Sequence, residues 1–356
     1  MNVTFGIGSV VPAGTKWAFT TRRVTSTDAT GMNTDITCAV PGDLVLGEIV
    51  KIGQHKKFQL ASGRYSESYI GDQVVMTVGD RYAPDQFEGC AELDPTGADM
   101  IAGGGILGRV LKAHRRMSSP TRVKPLGLLI DAEGETLNVA SYGLPHRAIP
   151  DQVTVIGVFG ASMNAGKTTA AVSLAHGLKR AGYRVAGVKA TGTGAFGDYN
   201  AFADAGVPVL DFTDAGMATT YQMPIGRVEA GFATLVGTVA HQGAEIVVVE
   251  FADGVFQKET AAIMKESPIK DRLNTVLFAA PDALGAVGGV NILRAHGLEP
   301  FAVSGMVTSS PLATQEAEGV LGIPLISRDG LRSPETIAAA VASVLPQPVD
   351  GLATAA

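Results

Sequence analysis

One segment carries the most specific chemistry in this sequence: Gly160-Ala161-Ser162-Met163-Asn164-Ala165-Gly166-Lys167-Thr168-Thr169. It follows an apolar run and opens an amphipathic one, the setting in which a glycine-containing loop wraps phosphate groups. Gly160, Asn164, Ala165, Gly166 and Thr169, with the start of the following helix, are the candidates for surrounding phosphate oxygens. The Lys167 ammonium can reach the β and γ phosphates, and the Thr168 hydroxyl can ligate magnesium. Strict spacing would put glycine at Ala161, and this chain offers Gly160 instead. A nucleoside triphosphate is the expected ligand.

A triphosphate needs an acidic partner for its metal. Residues 245–250 form an apolar strand ending in Glu250, whose carboxylate is expected to hold magnesium directly or through water. Lys189-Ala190-Thr191-Gly192 ends another strand. Lys189 and Thr191, with Gly192 beside them, could bind the γ phosphate or an anionic acceptor approaching it. Asp198 could join the metal shell or orient an acceptor, or it could cap a helix before Tyr199. Asp211 and Asp214 follow a short strand and could bind metal or abstract a proton, Asp214 being the candidate base; they could equally be loop acids facing solvent. Asp253, in Ala252-Asp253-Gly254, reads as a turn residue.

These groups need strands and helices in alternation to bring them together. The periodicity predicts strands over 153–159, 183–189, 208–212, 245–250, 275–278, 301–307 and 324–326. It predicts helices over 168–179, 227–242, 282–296, 312–320 and 334–344. The result is a mostly parallel sheet covered by helices, an α/β fold with its ligands outside the carboxyl ends of the strands. Before residue 150 the pattern differs. Strands are predicted over 44–50, 58–60, 73–78, 108–113 and 126–129, with a weaker one over 136–140, separated by Gly-Asp turns. A mainly β domain, barrel or sandwich, is expected over 1–150. A nucleotide-binding domain is expected over 151–345, and a flexible tail over 346–356.

Other marked residues of the first 150 leave alternatives open. Gly103-Gly104-Gly105 could cradle a ligand or make a tight turn. The polar loop 79–88, with Arg81, Tyr82 and Asp85, could bind a ligand or dock onto the second domain. His114, Arg115 and Arg116 could approach a phosphate or form a solvated face.

Composition removes several classes. The 356 residues carry 28 basic and 34 acidic side chains, a net charge of −6, with no basic block, which argues against nucleic-acid or anionic-membrane partners. Two cysteines, Cys38 and Cys90, cannot form a disulfide framework or a cysteine metal site and are expected to be reduced. No histidine pair has zinc-site spacing. Without a membrane-length apolar run or a charged leader, the expectation is a cytoplasmic protein.

The C-terminal half resembles dethiobiotin synthetase and neighbouring P-loop proteins, as well as ATP-binding proteins with a Met-Asn-x-Gly-Lys-Thr-Thr loop. The resemblance covers about residues 151–345 and rests on Gly160 through Thr168, on Lys189, Thr191 and Gly192, and on Glu250. It implies ATP and Mg²⁺ bound by Lys167 and Thr168, with Glu250 in the metal shell. It also implies that Lys189 and Thr191 stabilise a phosphorylated carboxyl or carbamate, that base contacts fall near Thr308, Ser309 and Ser310, and that the chain is a homodimer. Ala190, Ser162 and Met163 depart from the family pattern, and residues 1–150 are foreign to it. The expected activity is ATP- and magnesium-dependent phosphoryl transfer to a small acidic metabolite, a ligase or kinase reaction. The alternative is a nucleotide-dependent switch or metallocofactor accessory protein acting on a protein client.

Overall fold

The change of hydrophobic period near residue 150 coincides with a change of architecture in the computed structural model, which describes residues 3–5 and 10–345. The expected tail, 346–356, lies outside the described residues. The β-rich part contains β1 (Val3–Phe5), β2 (Lys16–Trp17), β3 (Gly31–Asn33), β4 (Leu44–Lys51), β5 (Lys57–Gln59) and β6 (Tyr65–Glu67). It continues with β7 (Gln73–Val78), β8 (Phe87–Cys90), β9 (Ala98–Ala102), β10 (Ile106–Ala113) and β11 (Thr121–Ile130).

The ladder β11-β4-β7-β10 closes on itself because β9 pairs with both β10 and β11. A small barrel results, and closure removes the open edges of its central strands. Alternate residues point inward: Val45 and Ile49, Val74, Met76 and Val78, Met100, and Val123 form one buried cluster. Their neighbours Leu44, Leu46, Val75, Ile101 and Leu129 form a second cluster outside the barrel, joined by Ala218 from the C-terminal part. Pro125, which has no N–H for the ladder, lies at a register shift in β11.

The α/β part runs β12 (Thr154–Gly160), α1 (Lys167–Arg180), β13 (Val185–Lys189), α2 (Phe196–Asp204), β14 (Val209–Asp211), α3 (Ile225–His241) and β15 (Ile246–Glu250). It then runs α4 (Lys258–Glu266), α5 (Pro268–Asp271), β16 (Thr275–Ala279), α6 (Ala283–Ala295), β17 (Pro300–Ser304), α7 (Pro311–Leu321), α8 (Arg328–Arg332) and α9 (Pro334–Ala340). The sheet order is β14-β13-β15-β12-β16-β17, and every pair is parallel. Both faces are covered, so β12 and β15 are buried along their whole length and read as continuous apolar runs. Phe159, Val247 and Val249 pack with α3 and α6 on one face, whereas Ile156, Val158 and Val248 pack with α1 and α9 on the other.

Several elements depart from the sequence expectation. The strand expected over 301–307 stops at Ser304, where Gly305 at φ 96° turns the chain into a short 3-10 helix, Met306–Ser309. The strand expected over 324–326 shrinks to a single bridge between Val303 and Leu325, because Pro324 has no N–H to extend a ladder. Helix α9 ends at Ala340, and in the turns that follow, the Val344 carbonyl accepts from the Thr154 hydroxyl at 2.9 Å. Residues 136–140 make two isolated bridges, Thr136 to Ile130 and Asn138 to Asp43, and enter a 3-10 helix, Val139–Tyr142, capped by Asn138.

Candidate functional site

Sheet register brings the charged residues to one level. Glu250 lies opposite Val158 on one side and Lys189 on the other, and Lys189 lies opposite Asp211. The loop between β12 and α1 arches over this edge. Gly160 is required there, since a Cβ on it would come within 2.6 Å of Lys167 Cγ. With that space free, Lys167 folds back, buried at 6% exposure, and donates to the Ser162 carbonyl at 2.8 Å. Burial pushes its pKa down, with Glu250 and Asp253 opposing the shift and Lys189 adding to it. The loop thus presents a desolvated ammonium beside the N-terminus of a 14-residue helix, an arrangement suited to phosphate.

Thr168, Glu250, Asp198 and Lys189 form one knot. The Thr168 hydroxyl lies 2.9 Å from Glu250 Oε1 and 3.1 Å from Asp198 Oδ1. The other Asp198 oxygen is paired with Lys189 Nζ. Glu250 Oε2 is buried and without a hydrogen-bond partner. A buried unpaired carboxylate oxygen is costly unless a cation meets it, so the donor set fits a hard divalent ion. Among the described residues no three His, Cys, Asp or Glu side chains cluster as a complete metal cage. Two carboxylates and a hydroxyl, completed by phosphate oxygens and water, suit magnesium better than a protein-only site.

Thr191 and Gly192 have other work. The Thr191 hydroxyl donates to the Ala252 carbonyl and accepts from the Ala252 amide, both at 2.8 Å, which fixes the loop after β15. The Gly192 amide donates to Thr220 Oγ1 at 2.8 Å. Asp214 meets Arg22 of the β-rich part at 2.6 Å, and the same guanidinium lies 2.9 Å from Asp211 and is bonded to Thr213. Arg23 lies 3.6 Å from Asp214. The structure therefore places Asp211 and Asp214 in a buried ion cluster between the two parts.

Helix α2, which carries Asp198, rests on the β-rich part. The Phe196 amide donates to Gln59 Oε1 at 2.6 Å, and the Phe196 ring packs edge-on against Phe19 and Tyr65. Arg22 stacks over Tyr199 at 5.1 Å. Next to this contact, Gly104 packs so tightly that a Cβ on it would overlap the Gly194 carbonyl. The triple glycine thus permits a close approach between the two parts.

Two cavities flank the phosphate loop. One, of about 470 Å³, lies beside the start of α1 and is lined by Thr169, Met306, Thr308, Ser309, Arg328 and Asp329. Thr308 and Ser309, which the resemblance names for nucleotide-base contacts, line this cavity, while Ser310 caps α7. The other, of about 360 Å³, separates Tyr82, Asp85 and His114 from Ser162, Asp253 and Gln257. Asp85 is bonded to Asn164 of the phosphate loop. Arg81, 6% exposed, donates to the Ile101 carbonyl and to Gln86 Oε1, and its Nε has no partner. Burial pushes the Arg81 pKa down to about 10, with Asp253 and Asp85 opposing. Arg115 and Arg116 are exposed.

Sequence reasoning assigned Asp253 to a turn and left Arg81 and Asp85 open, because their neighbours come from distant segments. The signal for Asp253 was its position just beyond Glu250, at the carboxyl end of a central strand.

No protein family and no curated protein matches the chain. Among solved structures it is similar to the signal recognition particle receptor FtsY from Elizabethkingia anophelis, at 20% identity over 58% of this chain and 59% of that one, with a TM-score of 0.34. It is similar to the signal recognition particle 54 kDa protein from Aeropyrum pernix K1 in complex with GDP, at 20% identity over 55% of this chain and 47% of that one, TM-score 0.37. FtsY from Mycoplasma mycoides aligns at 13% identity over 58% of this chain and 72% of that one, TM-score 0.37. The chain therefore spans less than two thirds of the length of the first of these. Its C-terminal part is a parallel sheet covered by helices with a phosphate loop after the first strand, the architecture of a P-loop nucleotide-binding fold.

Proposed function

We propose that the protein is a magnesium-dependent nucleoside triphosphatase whose nucleotide state is transmitted to its β-rich part. The observation that carries this reading is the double attachment of α2. One side gives Asp198 to Thr168 and Lys189, and the other is held by Gln59, Phe19 and Tyr65. A bound triphosphate would compete directly for Thr168 and Lys189, so its arrival and hydrolysis would load and unload α2.

In this reading Lys167 and the loop amides bind the β and γ phosphates, and Lys189 exchanges Asp198 for a γ-phosphate oxygen. Thr168, Glu250 and Asp198 would hold magnesium, which when bound neutralises charge on the β and γ oxygens. The cavity beside Thr169 would take the nucleoside. The test is nucleotide binding and phosphate release with ATP and with GTP, together with hydrogen exchange of peptides covering 57–65 and 196–204. Triphosphate-dependent and diphosphate-independent changes in both peptides are expected, and K167A should abolish them. Unchanged exchange in the presence of bound triphosphate would overturn the coupling.

A second reading is phosphoryl transfer to a small acidic acceptor, as the resemblance to dethiobiotin synthetase implies. It is supported by the roughly 360 Å³ cleft beside the phosphate loop, which is far larger than one water requires. Acceptor-dependent release of diphosphate from a library of carboxylic acids would favour it over the switch.

A further inference from the structure

The cleft between the β-rich part and the phosphate loop shares no lining residue with the cavity beside Thr169, and Asp253 lines it together with Ser162 and Met163 of the phosphate loop. Among the described residues nothing hydrogen-bonds the Asp253 carboxylate. Its electrostatic neighbours are Lys167, Lys189, Arg81 and Glu250, three cations from three separate segments and the proposed metal carboxylate. Asp253 thus lines the open cleft and is electrostatically coupled to both phosphate-binding lysines. The loop bearing it is fixed by the reciprocal Thr191–Ala252 bonds, and its packing against Ala161 leaves no room for a side chain at Gly254. Arg81 of the β-rich part, buried without a hydrogen-bonded carboxylate, is electrostatically coupled to Asp253.

We infer that Asp253 orients the nucleophile that attacks the γ phosphate, and that this nucleophile enters through the cleft between Ser162 and Tyr82. The inference rests on the nucleotide reading of the phosphate loop. With a triphosphate bound, Lys167 and Lys189 turn to phosphate oxygens and leave the Asp253 carboxylate as an unengaged acceptor beside the γ phosphorus. For hydrolysis, the water oxygen forms a bond to phosphorus as the bond to the β,γ-bridging oxygen breaks. The electron pair of the broken bond leaves with the nucleoside diphosphate, and the water proton passes to Asp253 and then to the phosphate that is released. Arg81 holds the carboxylate toward the cleft, a positioning role played from the β-rich part.

The test uses the full chain, Asp253→Asn, Asp253→Glu and fluorescent nucleotide titration alongside single-turnover phosphate release. D253N should keep nucleotide affinity within about threefold, or tighten it, while its release rate falls about 100-fold or more, the usual span for a lost proton acceptor. D253E should recover part of that rate. A purely structural Asp253 would move affinity and rate together. Release within about tenfold of the unsubstituted protein, or equal loss of binding and rate, overturns the inference. If the unsubstituted protein binds neither ATP nor GTP, the nucleotide reading itself falls, a result distinct from an unaffected D253N.

Discussion

Arg22→Met tests the junction between the two parts. Arg22 serves Asp211 at 2.9 Å and Asp214 at 2.6 Å, with side-chain exposures of 12%, 2% and 6% for the three residues. Its guanidinium also lies over the Phe19 ring at 4.3 Å. Methionine keeps much of the apolar stem but leaves two buried carboxylates with only Arg23 nearby, at 3.6 Å from Asp214. Breaking a buried pair this way costs about 3–5 kcal/mol, which at about 2.1 cal/mol/K of unfolding entropy per residue lowers the midpoint of this 356-residue chain by about 4–7 °C. The pH dependence has a definite sign. Burial pushes the Asp214 carboxyl up and Arg22 opposes that shift, so without Arg22 the cost is full near neutral pH and shrinks as pH falls through the raised folded pKa of Asp214. The assay is denaturant unfolding of both proteins at several pH values, with Asp211→Asn/Asp214→Asn in the R22M background expected to restore most of the loss. A loss below about 0.5 kcal/mol, the scale of an ordinary surface change, or one that grows toward acid, would refute the reasoning.

Lys167→Ala should abolish triphosphate binding, measured by fluorescent nucleotide titration, while leaving the unfolding midpoint nearly unchanged. Glu250→Gln should retain nucleotide but weaken the magnesium dependence of phosphate release by about tenfold or more, read from a metal titration. His55 is half-buried beside Phe87, its Nδ1 shielded from solvent, and desolvation, with Arg81 adding, pushes its pKa down to about 4 from an ordinary 6.5. The unfolded chain therefore takes up the proton first, so about 3 kcal/mol of stability disappears as pH falls from 6.5 toward 4. His55→Phe should flatten that acid limb. Gly104→Ala should lift the β-rich part away from Gly194, increasing hydrogen exchange in 196–204 without changing that of β15 and β16.

The parallel sheet was legible because strands buried on both faces carry uninterrupted apolar runs, and the phosphate loop because its spacing is local. Lys167, Thr168 and Glu250 could be found that way, since strand ends in a parallel sheet share one edge. Strands β8 and β9 escaped notice because Phe87–Cys90 and Ala98–Ala102 are short and interrupted by glycine or acid; β9 is buried by closing the barrel, and β8 is held by its pairing with β10. Helix α2 was hidden by Gly197 and by an apolar face that meets the other part of the chain. Asp214 illustrates the limit. Its sequence context suits a base or a loop acid, and the deciding partner, Arg22, lies nearly two hundred positions earlier.

The order of partners along the chain has a consequence for biosynthesis. The barrel is complete at Ile130, whereas Arg22 and Gln59 find Asp211, Asp214 and Phe196 only after those residues have emerged. At about 5–20 residues per second, the finished barrel waits on the order of ten seconds with this face in water. Arg22 and Gln59 hydrate readily in that interval, whereas Phe19 and Tyr65, uncovered until Phe196 arrives, are the part of this face that a chaperone would meet.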